Sequence, residues 1–273
     1  MKNNIGIMQG RLSEQKGVKI QEFPKDTWKM EFRLAKNLGF DVIEWIFDSK
    51  DNPILQDNML DDISETIKEE GIRVNSVIAD FFMENYLTKN KAKENLEILK
   101  KLIINSHKIG IKIIEIPFVD SSSLNTDDEI KTLEMMLKEV FSVLEENKMK
   151  IGLETDLNPK DVADLLDRIG NPNIKANYDS GNSAALGYDM YEEFELFGNS
   201  IINIHVKDRI FQGNTVPLGT GDVNFDSFFK LIKKSGYEGD IIIQGARIKN
   251  ESPEDTCKKY IKFVKQYVDK YLK

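Results

Sequence analysis

A histidine near the end of an apolar run is the first feature of this chain that could do chemistry. The stretch I-I-N-I-H-V-K-D-R, residues 201–209, carries His205 near the C-terminal end of what reads as a buried strand. A polar residue in that place is how a parallel barrel strand delivers a side chain to an active face. The plainer alternative is a buried histidine satisfied by a backbone carbonyl. Carboxylates sit in or just after other apolar runs: Glu44 within D-V-I-E-W-I-F, then Asp80, Glu115, Glu154 and Asp179. A carboxylate taken out of water needs a partner or a job, because burying it alone is costly. Imidazole and carboxylate groups move protons and bind divalent metals near neutral pH. The second histidine, His107, follows Ile103 by one helical turn just before Gly110. There a helix dipole favours a cation, so His107 reads as structural.

The elements that must hold these groups alternate along the chain. Residues 4–9 read as a strand, followed by a polar loop to about residue 24. Residues 26–38 read as a helix, with Trp28, Phe32, Ala35 and Leu38 at helical spacing and a stop at Gly39. Trp28 is then core. Strands follow at 41–47, 72–78, 111–118, 149–154, 174–179 and 240–244, besides the His205 strand. Helices are expected at 60–70, 91–109, 126–146 and 190–197. Asn158 and Pro159 supply an N-cap and first-turn proline for a helix that stops at Gly170, and Ser252 with Pro253 opens the last helix. The D-S-G-N stretch after the sixth strand reads as a turn. In the last helix Tyr260, Phe263, Val264, Tyr267, Val268 and Tyr271 form one apolar stripe, which is packing surface.

About eight strand-helix units, at roughly 34 residues each, point to an α/β protein whose residues 1–273 form one domain, a (β/α)₈ TIM barrel. A doubly wound sheet is the runner-up. Catalytic groups of such a barrel lie at the C-terminal strand ends, which here are Gln9, Glu44, Asp80, Glu115, Glu154, Asp179, His205 and Gln244. Whether each faces the barrel axis depends on a register that a one-residue shift inverts.

Composition excludes several classes. With 40% hydrophobic and 31% charged residues in 273, the chain has enough apolar mass for a core. Its net charge of −8 argues against a nucleic-acid or anionic-membrane surface, since phosphate backbones are held by clustered cations. No apolar run approaches the roughly 18 residues of a membrane span. The single cysteine, Cys257, cannot form an internal disulfide, and the polar N-terminus is no signal peptide. A cytoplasmic protein is expected, with homo-oligomerisation left open.

In order along the chain, G-I-M-Q-G-R-L-S at 6–13, V-I-E-W at 42–45, G-L-E-T at 152–155, N-Y-D-S-G-N at 177–182, H-V-K-D-R at 205–209 and G-T-G-D-V-N-F at 219–225 resemble the xylose isomerase-like family of sugar and sugar phosphate isomerases and epimerases. The resemblance covers nearly the whole chain. It implies a divalent metal held by Glu154, Asp179, His205 and the fourth-position residue, a glutamate in the family and Gln244 here. An oxygen and nitrogen donor set of this kind suits Mn²⁺ first, then Mg²⁺, Co²⁺ or Zn²⁺. The resemblance also implies that Glu154 is the base that removes a proton beside a polarised sugar carbonyl. In the family's epimerases the fourth-position glutamate is the second acid/base, and an amide cannot take that part at neutral pH. Glu44 or Glu115 could compensate. Since one base on one face suffices for aldose–ketose isomerisation, Gln244 favours isomerisation over epimerisation.

Four cations fall at the same expected face: Arg11, Lys207, Arg209 and Arg247. With Asn182 they are candidate substrate-binding residues for a small anionic sugar, although pairing with nearby carboxylates is the plain alternative for at least two. The Gly219–Gly221 loop could present backbone N–H groups to a phosphate, or simply form a tight turn. Phe81, Phe82, Phe118 and Phe211 are expected in loops shielding this face. Two further readings compete with the isomerase: a metal-dependent dehydratase of a sugar acid or cyclic sugar, and a barrel that binds sugar without turnover. DNA repair on the same barrel needs a metal cluster with several histidines, which two cannot build.

Overall fold

A computed structural model describes residues 3–15, 17 and 21–273; of the polar loop expected before residue 24, residues 16 and 18–20 lie outside this description. Seven parallel strands come first: β1 (Ile5–Met8), β2 (Val42–Ile46), β3 (Ser76–Ile78), β4 (Ile113–Phe118), β5 (Lys150–Thr155), β6 (Ile174–Asp179) and β7 (Ile201–Val206). A short antiparallel pair, β8 (Asp208–Arg209) and β9 (Thr215–Val216), stands outside the barrel, and β10 (Ile241–Ile243) then closes it by pairing with both β7 and β1.

The helices are α1 (Trp28–Leu38), α2 (Leu60–Glu70), α3 (Phe81–Glu84), α4 (Ala92–Lys108), α5 (Asp127–Lys138) and α6 (Phe141–Glu146) in the first half. In the second half they are α7 (Pro159–Ile169), α8 (Ser180–Leu186), α9 (Met190–Phe197), α10 (Phe225–Ser235) and α11 (Pro253–Tyr271). Local chemistry sets their ends. In α7, Asn158 accepts from the Asp161 N–H, Pro159 occupies the first turn, and Gly170 at φ 61° ends the helix in the left-handed region that other residues avoid. Branched aliphatic strands pack outward on these helices, as do aromatic groups. Trp45 on β2 packs tilted against Phe23 and edge-on against Trp28, and its indole N–H donates to Asn52. None of the helices among the described residues is long and apolar enough to cross a membrane.

Three expectations change. The helix expected over 126–146 is two, α5 and α6, because the chain tightens to i→i−3 bonds at Glu139 and Val140. Its apolar stripe nevertheless runs through the break, with Leu133, Leu137, Val140 and Leu144 all buried. The D-S-G-N stretch is the first turn of α8, capped by the Asp179 carboxylate. Phe81 and Phe82 are not in a loop: they form α3 and are buried against Phe47, with ring centroids 5.1 and 6.2 Å away. Phe118 is a buried strand residue, while Phe211 is exposed at the β8–β9 tip.

The loop after β1 is tied down from inside. Glu31 on α1 is buried and accepts from the N–H groups of Gly10 (2.8 Å) and Leu12 (3.1 Å), bracketing Arg11. Burial pushes the Glu31 carboxyl up to about 7 against the pull of those donors. Arg247 grips the same loop through the carbonyls of Ser13 and Gly10. Replacing Glu31 by alanine should leave two buried donors unmet, at about 1–3 kcal/mol each. Urea unfolding should therefore show a lower midpoint with an unchanged slope; an unchanged midpoint would mean the loop is held by other contacts.

Candidate active site

The barrel interior is polar where most barrels pack aliphatic side chains. Glu44 on β2 is fully buried, and its Oε1 accepts from Ser76 on β3 (2.6 Å) and from the Asn203 amide on β7 (2.8 Å). Its Oε2 lies 2.7 Å from Nε2 of His205, also fully buried. β2 and β7 are not neighbours in the sheet, so these bonds cross the barrel lumen. Burial alone would lower the pKa of His205, but the charges of Glu44 and Glu154 hold it well above its ordinary value. As a cation it carries a proton on each ring nitrogen, Nε2 toward Glu44 and Nδ1 toward Glu154, and an ion bound at Nδ1 would displace the second of these while Glu44 keeps the first.

That bond turns Nδ1 of His205 toward the mouth. There it meets Glu154 Oε2 at 3.4 Å and Asp179 Oδ2 at 4.0 Å. Glu154 is held by two amides, Asn177 on Oε2 and Asn182 on Oε1, each at 2.6 Å. Burial would raise its pKa; contact with His205 and the charges of His205 and Lys207 outweigh that and lower it. Asp179 stands opposite His205 in the β6–β7 register and uses Oδ1 to accept from the Asn182 N–H. Its Oδ2 has an ion pair with Lys207 at 3.4 Å but no hydrogen bond among the described residues.

Gln244 follows β10 at the fourth position. Its amide NH₂ donates to Gln21 Oε1 (2.9 Å), and its own Oε1 is buried with no hydrogen-bond partner among the described residues. Gln21 also accepts from Arg11 (3.1 Å) and donates to Asp80 (2.8 Å). Glu115, fully buried on β4, likewise has neither oxygen hydrogen-bonded among the described residues. Burial first, and the Glu154 charge second, push its carboxyl well above the ordinary range.

These orphan acceptors form a pattern. Among the described residues Asp179 Oδ2, Gln244 Oε1 and both Glu115 oxygens are buried with no hydrogen-bond partner, and Nδ1 of His205 faces the same space. Atoms of Glu115, Glu154 and His205 come within 4.8 Å of one another, close enough to share an ion. Buried acceptors normally have donors, and an excess of acceptors is what a cation relieves. The residues present therefore fit a divalent metal. Glu44 sits behind His205, away from the mouth, as the carboxylate that often orients a metal-binding imidazole.

Above this cluster opens a cavity of about 590 Å³ whose wall includes Arg11, Lys207, Arg209 and Arg247 beside Glu154 and Gln244. Lys207 and Arg209 both donate to Asn182 Oδ1, at 3.1 and 2.9 Å. Lys207 also pairs with Asp179 at 3.4 Å, and Arg247 donates to the backbone carbonyls of Ser13 and Gly10. The Gly219–Gly221 loop does not face this cavity with free N–H groups. The N–H groups of Gly219, Gly221 and Val223 all donate to the buried carboxylate of Asp208, and a Cβ at Gly221 would collide with it. The turn is internal.

Sequence reasoning missed Gln21, Ser76, Asn177 and Asn203. The asparagines had a signal, because each lies two residues before a site residue and so on the same strand face. Gln21, a polar residue in a loop, had none.

The profile of the family described as xylose isomerase-like TIM barrel matches residues 32–267. L-ribulose-5-phosphate 3-epimerase UlaE of Salmonella paratyphi A is 26% identical over 235 residues, which span 80% of this chain and 82% of that protein. Among crystal structures, L-ribulose 3-epimerase superposes with a TM-score of 0.78 at 15% identity, over 98% of this chain and 95% of its own. The IOLI protein with a bound zinc atom superposes at 0.77 and 18% identity, over 98% and 99%. At these identities the superpositions speak for the fold.

Glu44→Gln keeps the shape of the imidazole's partner but removes its charge. Divalent metal affinity, read by equilibrium dialysis, should fall roughly 10–100-fold, and His205→Ala should abolish it. Equal metal binding by wild type and both variants would place the ion elsewhere.

Proposed function

The chain belongs to the xylose isomerase-like TIM barrel family, and from that premise we propose that it is a sugar isomerase or epimerase acting on a ketose phosphate, in the first place by 3-epimerisation through an enediolate. The observation that carries this reading is Glu154, ionised and clamped by two amides at the floor of a cavity rimmed by four cations. The 3-epimerase relative agrees with it.

Glu154, Asp179, His205 and Gln244 would hold a divalent metal, Mn²⁺ before Mg²⁺, Co²⁺ or Zn²⁺, with Glu115 adjoining them. When bound, such an ion polarises a carbonyl and its neighbouring hydroxyl and acidifies the C–H between them. The chain's own residues do the rest. Glu154 takes the proton from the carbon beside the carbonyl, and Asn177 and Asn182 keep its oxygens aimed while it does so. Arg11, Lys207, Arg209 and Arg247 draw in the phosphate and fix its distance from Glu154. Asn182 couples the two tasks, touching Glu154 with its NH₂ and two cations with its carbonyl. With its lone Cys257 buried and unpaired, the cytoplasm is the compartment this reading assigns.

Gln244 supports a second reading, aldose–ketose isomerisation with Glu154 as the one base, because its amide cannot return a proton. In either case Glu154→Gln should lose turnover of L-ribulose 5-phosphate by roughly 10²–10⁴-fold while the ligand still raises the melting temperature. Apparent affinity for the phosphate should fall as salt rises. Equal, salt-insensitive turnover of L-ribulose and its 5-phosphate would remove the anionic substrate from the account.

A further inference from the structure

Epimerisation inverts a carbon, so a proton leaves one face and another must arrive on the opposite face. Glu154 serves one face. The amide of Gln244 cannot serve the other. Among the described residues, the carboxylates on the cavity wall are Asp80, Asp120 and Glu154. Glu44 is spent on His205 below, and neither it nor Glu115 belongs to this wall. Asp120 is exposed, on a segment with φ 52°. Asp80 remains.

The placement of Asp80 is unusual for its sequence context. It occupies the N-cap of α3, where an aspartate normally accepts from the helix's own N–H groups, yet it makes no such bond. Its Oδ2 accepts instead from the Gln21 side chain, whose carbonyl accepts from Gln244. Gln21 thus ties the surviving carboxylate to the amide that stands in the fourth position. Each barrel strand takes about 45° of the circle, so Asp80 beyond β3 stands about a quarter turn from Glu154 on β5, reaching the same cavity from another side.

We propose that Asp80 is the second acid/base of the epimerisation, delivering a proton to the face opposite the one Glu154 strips; this rests on the epimerase reading above. In one direction the C–H bond breaks toward Glu154, its electron pair passes into the enediolate, and the Asp80 O–H breaks as a C–H forms on the other face. Glu154 ends protonated and Asp80 ionised. Exchange with water restores both, and the reverse reaction swaps their parts. Burial, with Glu154 adding to it and Gln21 opposing, pushes the Asp80 carboxyl up to about 6, so donor and acceptor forms are both populated near neutral pH.

The test runs L-ribulose 5-phosphate in D₂O with divalent metal supplied, comparing wild type, Asp80→Asn and Asp80→Asn/Gln244→Glu. Deuterium at the reacting carbon and its configuration are both read by NMR. Asp80→Asn should lose inversion about 100-fold or more, while deuterium still washes into recovered substrate with configuration retained. Adding Gln244→Glu should bring inversion back. A substrate-induced rise in melting temperature shows that each variant is folded and binds. Inversion by Asp80→Asn within about threefold of wild type would overturn the proposal, and so would joint loss of inversion, exchange and binding, which marks a merely structural residue. Wild type that exchanges but does not invert would reject it in favour of one-base isomerisation. Wild type that does neither would reject the functional reading itself.

Discussion

The hydrogen bond between Glu44 and His205 is the constraint around which the barrel's chemistry is arranged. At 2.7 Å in a fully buried setting, it spans the lumen between strands that are not neighbours. Such a pair is tolerated in the interior only when its remaining valences are met, and Ser76 and Asn203 meet those of Glu44. Removing one partner would leave a charge buried alone, at a cost of about 3–5 kcal/mol. Because Nε2 is committed to Glu44, Nδ1 must face the mouth, and the places of Glu154 and Asp179 take their meaning from that direction. A barrel packed only with aliphatic layers could not fix the imidazole in this way.

Much of this was legible from residue types and order. The sixth strand, 174–179, and the helices at 60–70 and 190–197 lie where periodicity and caps place them. The strand ends Glu154, Asp179 and His205 converge as the barrel rule expects, because parallel strands in register must bring their C-terminal ends to one face. What escaped is what depends on direction or on distant contacts. Glu44 is a strand-end carboxylate by sequence, yet its side chain lies beneath the histidine instead of on the cavity wall. It is the middle residue of β2, two short of the strand's end, so it points inward one layer too deep to reach the wall. The glycine pair at 219 and 221 has the composition of an anion loop, and the anion proves to be Asp208 of the same chain. Gln21 joins partners 59 and 223 residues away, which no local pattern encodes.

The electrostatics of the mouth oppose those of the whole. A chain of net charge −8 sets Arg11, Lys207, Arg209 and Arg247 around one cavity. Beneath them lies a surplus of buried carboxylate oxygens and other acceptors with no hydrogen-bond donors among the described residues. The floor calls for a small cation and the rim for an anion, a division that suits a substrate with a phosphate at one end and a carbonyl at the other. Glu154 and Asn182 join the two levels.

The most direct measurement is anomalous diffraction at the metal edge from crystals grown with Mn²⁺. One peak is expected, bonded to Nδ1 of His205 and to Glu154 and Asp179, with Nε2 still on Glu44. A peak on the Nε2 side, or no peak beside His205 at all, would contradict the claim that the Glu44 bond aims this histidine at a metal.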